Sequence, residues 1–541
     1  MKRLLFFLLF ISTLAISCKN KQKYLSEDNI IPKPSEVIVH HGELNVEDEI
    51  YIIINENCEG ASKVKNYTME FLSRSYKVDD VPEKQQYGTN IFLSIAGEGN
   101  PESYKLTISE LGIEIVSPGY AGLFMGFQTL RQLFPPEIEG GKKLENVKLP
   151  FIEITDEPRF KYRGMHLDVC RHFFSVEDVK SYIDMLAMHK FNVLHWHLTD
   201  DQGWRIEIKA FPELAEISSM RKETLVKQNW GEYDGIPYGG YYTQDEIHEI
   251  VKYAEDRFIM VIPEIEMPGH SLAALAAFPE LGCTGGPYEV GTTWGVFDDV
   301  FCAGNDKTFE LLEQVIDEVC MLFPNSPFIH IGGDECPKTR WENCPKCQKR
   351  MQEEGLSDEH ELQSYFIQRM EKYINSKGKR IIGWDEILEG GLAPNATVMS
   401  WRGTSGGIAA AKIEHDAILT PGDYCYFDHY QSLDKETEPL AIGGFTNCEK
   451  VFGWNPVPDS LTKEQASHII GVQANVWTEY IADFAHIQYM VLPRMAALSE
   501  VAWTTERDTS YSAFKKRLQV MFIRYENAGY NFAKHEKEEV N

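Results

Sequence analysis

The chain has 541 residues, 43% of them apolar and 12% aromatic, too many for one ordinary domain and ample for large buried cores. It contains no low-complexity tract or internal repeat, which excludes a disordered or solenoid protein. A formal net charge of −29 argues against nucleic acid and anionic lipid headgroups as partners and suits neutral or cationic substrates.

In chain order, Lys2 and Arg3 precede an apolar run from Leu4 to Ile16, which Ser17-Cys18 closes. The run is short for a membrane span and reads as a cleaved export signal over residues 1–17. Its ending resembles a bacterial lipoprotein signal, which implies lipidation of Cys18 and a polar tether over residues 18–29. An ordinary secretory signal is the alternative. The expected location is the bacterial cell envelope, periplasm or outer membrane, with membrane contact through the lipid anchor only. Cleavage removes Lys2 and Arg3 and moves the net charge from −29 to −31.

Residues 30–155 read as a smaller α+β domain without catalytic residue types. Strands are expected at Ile50 to Ile54, Asn90 to Ala96, Tyr104 to Ser109 and Gly112 to Ser117. Helices are expected at Ser62 to Tyr76 and Ala121 to Phe134, where apolar residues recur at helical spacing. A boundary falls at Asp156-Glu157-Pro158-Arg159, and residues 156–510 then alternate strand-like and helical segments. The strand-like runs are Gly164 to Val169, Val193 to Thr199, Met260 to Ile265, Phe328 to Ile331, Arg380 to Trp384, Thr397 to Trp401, Ala417 to Thr420 and Ile469 to Val476. Their continuous apolar character suits buried parallel strands. The fold class is therefore α/β, a (β/α)8 TIM barrel preceded by the α+β domain. An open doubly wound sheet is the alternative, weakened by the missing Gly-x-Gly-x-x-Gly pattern. Ala485 to Trp503 reads as the helix after the last strand, and residues 511–541 as a C-terminal helical extension.

Chemistry belongs at the carboxyl ends of such strands. The fourth run ends in Gly332-Gly333-Asp334-Glu335, two glycines followed by two carboxylates. The plain alternative is that Asp334 and Glu335 cap the next helix. Other endings supply Asp168 and Arg171; His195, His197 and Asp200; Glu264, Glu266 and His270; Trp384, Asp385 and Glu386; Trp401; Tyr426 and Asp428; Trp477 and Glu479. Convergent endings would form one mouth rich in carboxylates and tryptophans. Carboxylates and arginine hydrogen-bond sugar hydroxyls, indoles pack on pyranose faces, and a carboxylic acid can protonate a glycosidic oxygen. His195-x-His197 also resembles the first ligands of amidohydrolase metal sites, but the later ligand set is incomplete. Cys344-Pro-Lys-Cys347 has metal-knuckle spacing without a second pair at a suitable distance, so a surface disulfide or free thiols are expected there. Cys283 and Cys302 flank a Gly-rich loop that they could staple.

On these residues the chain resembles glycoside hydrolase family 20, the β-N-acetylhexosaminidases. The matching pieces run in family order: Arg163-Gly164 with Asp168 and Arg171, His195 to Trp204, Pro263 to His270, His330 to Glu335, Gly383 to Glu386 and Gly471 to Glu479. Ile31-Pro32-Lys33-Pro34 and the α+β unit match the non-catalytic domain often found before the barrel. The resemblance implies exo-acting hydrolysis of terminal β-linked GlcNAc or GalNAc from glycans, in which the substrate's 2-acetamido oxygen is the nucleophile. It makes Glu335 the general acid and base, and Asp334 the holder of the acetamido N–H. It makes Tyr426 the donor to the acetamido oxygen. Arg171, Asp428 and Glu479 bind outer hydroxyls, Trp384, Trp401 and Trp477 wall the pocket, and Asp200 and His270 form a polar network behind the pair. One departure is Glu266, where the family often has aspartate. No cofactor or metal is expected. Alternatives are a conventional β-glycosidase pairing Glu335 with Glu266 or Glu386, and an inactive glycan-binding lipoprotein. Tyr233 to Tyr242 and Thr284 to Val300 are the loops suspected of setting specificity.

Overall fold

A computed structural model describes residues 29–538, so the export signal and Cys18 lie outside the described residues. The chain forms two compact units, one holding the residues up to Arg159 together with those from Trp503 onward, the other spanning Phe160–Ala502. Helix Tyr511–Ala528 thus groups with the N-terminal unit.

The N-terminal unit is a seven-stranded sheet with strands β1 (Glu36–Asn45), β2 (Glu49–Ile54), β3 (Lys77–Asp80), β4 (Thr89–Ile95), β5 (Tyr104–Ser109), β6 (Gly112–Ser117) and β7 (Lys148–Asp156). Their spatial order is β1-β7-β5-β6-β4-β2-β3. β1 and β3, neither of them expected from sequence, are the sheet's edges and mostly exposed, and Lys77, Asp79 and Asp80 charge β3, which helps an edge resist pairing with other chains. Helices α1 (Glu59–Ser73) and α2 (Tyr120–Leu133) pack against the sheet. From Gly122 onward α2 is buried all round, which leaves its last carbonyls without solvent. Arg524 supplies the partners, donating to the carbonyls of Gln132 (2.5 Å) and Phe134 (2.7 Å).

In the second unit eight strands close into a barrel: β8 (Tyr162–Asp168), β9 (Val193–His197), β10 (Met260–Glu264), β11 (Phe328–His330), β12 (Arg380–Trp384), β13 (Thr397–Ser400), β14 (Ala417–Leu419) and β15 (Ile469–Ala474). Every neighbouring pair is parallel, and β15 meets β8 at Gly471 opposite Tyr162. That seam removes the open-sheet alternative. It also needs glycine, because a Cβ at Gly471 would lie 1.9 Å from the Tyr162 carbonyl oxygen. Tyr162, Val193, Ile262, Phe328, Ile382, Met399 and Ile418 form a buried core cluster from seven of the strands, below the mouth where polar endings begin. The surrounding helices start where the sequence caps them, Val176–Met188 at Ser175 and Gln244–Glu255 at Thr243, each with a reciprocal capping box. The single helix expected over 485–503 is instead two, Phe484–Val491 and Arg494–Trp503. Pro493 falls between them and has no N–H to continue the ladder.

Candidate active site

The barrel's strand endings converge on a cavity of about 380 Å³. Arg171, Asp200, His270, Asp334, Glu335, Trp384, Trp401, Tyr426, Asp428, Trp477 and Glu479 all line it, so the residues to which the family resemblance gives catalytic or sugar-binding roles stand in one place, whereas Asp168, His195, His197, Glu264, Glu266, Asp385 and Glu386 do not line it. Asp334 and Glu335 do not open a helix; the residues after them run as loop to Lys338. Backbone geometry separates the pair. Gly332 and Gly333 have φ of 67° and 93°, and Glu335 itself has φ of 44°, a conformation unusual for a residue with a Cβ. Asp334 is buried, whereas the Glu335 side chain is 41% exposed.

His270 faces both carboxyls, with Nε2 at 3.8 Å from Asp334 Oδ2 and 3.5 Å from Glu335 Oε2. Its Nδ1 bonds Asp201 Oδ2 at 2.8 Å and lies 3.4 Å from Asp200 Oδ1. Burial opposes a charged imidazole, but Asp200 and Asp201 outweigh it and hold His270 well above the ordinary histidine range. The resulting imidazolium holds Glu335 below the ordinary glutamate range, through their hydrogen bond first. Asp334 is pushed up to about 7 by burial, with Glu264 and Glu335 adding to the effect and His270 opposing it. Below about pH 7, and above the lowered range in which Glu335 itself protonates, the pair therefore carries one proton, lodged on Asp334.

Deeper in the barrel, Glu264 Oε2 is 2.5 Å from His197 Nδ1 and 3.1 Å from His195 Nε2, and Glu264 Oε1 is 2.7 Å from His330 Nδ1. His197 Nε2 bonds Asp200 at 2.9 Å, and His195 Nδ1 meets Gln473 at 3.0 Å. Glu264 and Asp200 overcome burial and raise His197 to about 10. The His195-x-His197 pair thus sits in a histidine–carboxylate network joining the barrel core to Asp200 and His270. Glu266 packs behind Asp334. A Cβ on Gly332 would lie 1.6 Å from its Oε2, and neither carboxyl oxygen has a hydrogen-bond partner. Burial and then Asp334 push its pKa well above the ordinary glutamate range, which favours the neutral carboxyl.

On the opposite wall Arg171 is buried among carboxylates, 2.9 Å from Asp200, 3.2 Å from Asp168 and 3.8 Å from Glu479, with its guanidinium 5.0 Å from the Trp477 ring centroid. Trp384 and Trp477 lie 5.9 Å apart, and Trp401 stacks near Tyr426 at 6.2 Å and 25°. The Trp401 indole donates to Glu386 at 3.0 Å. Asp334 Oδ1, Asp428 Oδ1, Glu479 Oε2 and the Trp384 indole nitrogen are buried without a protein partner, and all four belong to residues lining the cavity. Orphaned polar atoms in such a place are ready for a polyhydroxylated ligand.

Sequence reasoning missed part of the wall. His429, Ile442, Gly443 and Gly444 line the cavity, and the suspected loops Tyr233 to Tyr242 and Thr284 to Val300 do not. A short parallel pairing of His429 with Gly443 delivers this segment, and its residues carry no sugar-binding signature. Asp201 and Glu264 were visible as carboxylates at strand ends, but only the structure shows which histidines they charge. Cys283 and Cys302 do not form a closed pair; they meet Cys344 and Cys347, and all four are free thiols.

The chain matches the family descriptions "Glycosyl hydrolase family 20, catalytic domain" over residues 160–506 and "Glycosyl hydrolase family 20, domain 2" over residues 27–157. It is 46% identical to a β-hexosaminidase of Porphyromonas gingivalis, over 98% of this chain and 68% of that one. Among solved structures it is similar to the N-acetyl-β-hexosaminidase of Streptomyces plicatus in complex with thio-NAglucal, with TM-score 0.82, 32% identity, and 94% and 97% of the two chains covered. It is also similar to the exo-β-N-acetylglucosaminidase of Vibrio harveyi in complex with N-acetylglucosamine, with TM-score 0.81, 30% identity, and 94% and 79% covered.

Proposed function

From the premise that the chain belongs to glycosyl hydrolase family 20, and is a β-hexosaminidase of that family, we propose which residues do the work and on what. The substrate is a glycan ending in β-linked GlcNAc or GalNAc, cut one residue at a time. The observation that carries this reading is the division of the carboxyl pair: Asp334 buried in a tryptophan-walled pocket, Glu335 partly exposed beside it. A cavity of about 380 Å³ suits one N-acetylated ring rather than a run of sugars. The relatives that hold N-acetylglucosamine or an analogue support the same occupant.

The reaction starts with the proton on Glu335 and the negative charge on Asp334, the reverse of the ligand-free arrangement. Substrate binding drives the exchange. A sugar over Glu335 excludes water and raises its pKa, while an acetamido N–H donated to Asp334 favours that carboxylate. Glu335 then protonates the glycosidic oxygen as the acetamido oxygen attacks the anomeric carbon, and Asp334 steadies the positive charge on the oxazolinium-type ring. Tyr426 donates to the acetamido oxygen. In the second half Glu335 takes a proton from water, which opens the ring with net retention. An internal nucleophile held in place carries a high effective molarity. Arg171, Asp428 and Glu479 hold the outer hydroxyls.

The test compares aryl β-GlcNAc, aryl β-GalNAc and aryl β-glucoside, together with inhibition by a thiazoline mimic of the oxazoline. Equal rates on the N-acetylated and plain glucosides, or indifference to the thiazoline, would point to the conventional two-carboxylate mechanism. Cys18 is proposed as the lipidated first residue of a mature envelope protein. Among the described residues no helix is long and apolar enough to cross a membrane. Metabolic labelling with a fatty acid, lost in Cys18→Ala, tests the anchor.

A further inference from the structure

We propose that Cys283, Cys302, Cys344 and Cys347 form a structural zinc site that ties together the loops carrying His270 and Glu335. The four sulfurs lie within 4.8 Å of one another. Cys302 Sγ is 3.7 Å from Cys344 Sγ and 3.6 Å from Cys347 Sγ, and Cys283 Sγ is 3.8 Å from Cys347 Sγ. A tetrahedron of thiolates about 2.3 Å from a central zinc has edges of about 3.8 Å. The contacts also fit a cluster better than two disulfides. Cys302 touches two partners about equally, Cys347 likewise, and all separations lie far from the roughly 2.0 Å of an S–S bond.

The protein around the sulfurs is built for the purpose. Cys302, Cys344 and Cys347 are buried and Cys283 is half-buried. Cys344-Pro-Lys-Cys347 is one knuckle, with Cys344 capping and Cys347 in the first turn of helix Pro345–Glu354, where the helix dipole favours thiolates. The missing second pair is assembled from distant residues, because Gly282 bridges Phe301 and so brings Cys283 beside Cys302. Gly304 lets the two halves close. A Cβ there would lie 2.1 Å from the Lys346 carbonyl carbon and 2.4 Å from the Cys347 nitrogen. A soft four-sulfur tetrahedral set selects zinc or iron among common metals. Binding converts up to four thiols to thiolates and releases their protons to solvent.

The position gives the site its consequence. Trp341 Nε1 donates to the Phe301 carbonyl at 2.9 Å, Arg340 pairs with Asp299 at 2.7 Å, and the Phe301 N–H donates to Pro268 at 3.0 Å. The segment following Glu335 is thereby fastened to the segment flanking His270. Zinc would lock this junction from outside the cavity without touching substrate.

The test is the metal content of the purified full chain, prepared without chelator and analysed by inductively coupled plasma mass spectrometry. The expected result is about one zinc per chain, released when the thiols are blocked by a mercurial. Cobalt-grown protein should show the sulfur-to-cobalt charge transfer of a tetrahedral tetrathiolate. Cys347→Ser and Cys302→Ser should lose the zinc and melt several degrees lower, whereas Cys320→Ser, outside the cluster, should keep both. If the serine variants fail to fold, the metal content and cobalt spectrum of the unaltered chain still decide. Intact mass showing disulfides among these four cysteines would overturn the proposal, as would four free thiols without metal. Iron at equal stoichiometry would overturn the choice of zinc. None of these readouts depends on glycosidase activity.

Discussion

Replacing His270 with glutamine should move both sides of the pH profile upward, because one imidazolium faces both carboxyls proposed as catalytic. At 3.5–3.8 Å and an effective dielectric constant of about 20, a unit charge pair is worth about 4.5 kcal/mol. Solvent reaching the 41% exposed Glu335 side chain reduces this, and one neighbouring cation ordinarily moves a carboxyl by about 1–3 pKa units. In the unaltered enzyme the proton needed for catalysis leaves the free pair through Asp334, at about 7, so kcat/KM should fall about tenfold for each pH unit above that. The acid side should lie below the ordinary glutamate range, where Glu335 takes the second proton and Asp334 is neutral. Glu264 and Asp200 also face Asp334, and both favour its protonated form. Without the cation both carboxyls hold protons more tightly, so both descents shift up by about 1–3 units. The assay is kcat/KM on an aryl β-GlcNAc with an activated leaving group, across the range in which the protein stays folded. Unmoved descents in a folded His270→Gln variant would refute the charge arrangement described here.

Glu335→Gln should slow substrates with poor leaving groups by about 10²–10⁴-fold and activated aryl glycosides much less, read as a steepened leaving-group dependence. Asp334→Asn should cost about 10²–10³-fold with every leaving group, because the ring it steadies forms in each case, and a silent variant would remove its assigned role. Arg171→Met leaves Asp168, Asp200 and Glu479 facing one another in a buried wall; it should destabilise the fold by about 3–5 kcal/mol in chemical denaturation and weaken substrate binding. Gly332→Ala places a methyl 1.6 Å from Glu266 Oε2 at a φ of 67°, and should cost about 2–4 kcal/mol by thermal or chemical melting.

Much of the barrel was legible because buried parallel strands read as apolar runs and their chemistry follows at once. Arg380–Trp384 has the expected bounds, and Asp334, Trp384 and Trp401 stand at or just beyond strand ends where a reader looks. Other parts lacked that punctuation. Edge strands β1 and β3 are mostly exposed and so show no apolar alternation. Ile442 to Gly444 reach the cavity only through a two-residue pairing, which leaves no periodic trace. The cysteine cluster was hidden for a similar reason: Cys283 and Cys302 make no knuckle in sequence, and become neighbours only through one backbone bridge. Local patterns report local geometry, and these features are products of chain crossings.

The carboxyl pair shows how far local rules reach. In a strand, Asp334 and Glu335 would point to opposite faces. Yet β11 has already ended at His330, and three left-handed residues among the next five redirect the chain. Glycine is required at two of them on space as well as angle. A Cβ at Gly332 would strike Glu266, and one at Gly333 would lie 2.8 Å from the Ile387 side chain. At the third, Glu335, the role proposed for it needs a side chain, and a conformation costing about 1–3 kcal/mol is held by its surroundings. The outcome is that burial divides the pair. Asp334 sits where desolvation raises its pKa and where an acetamide can replace the lost water. Glu335 is the more exposed of the two, where in the proposed mechanism a leaving group would depart and a water arrive. Two adjacent residues of similar chemistry come to suit the different jobs proposed for them because the backbone between them, and not their side chains, sets their solvents apart.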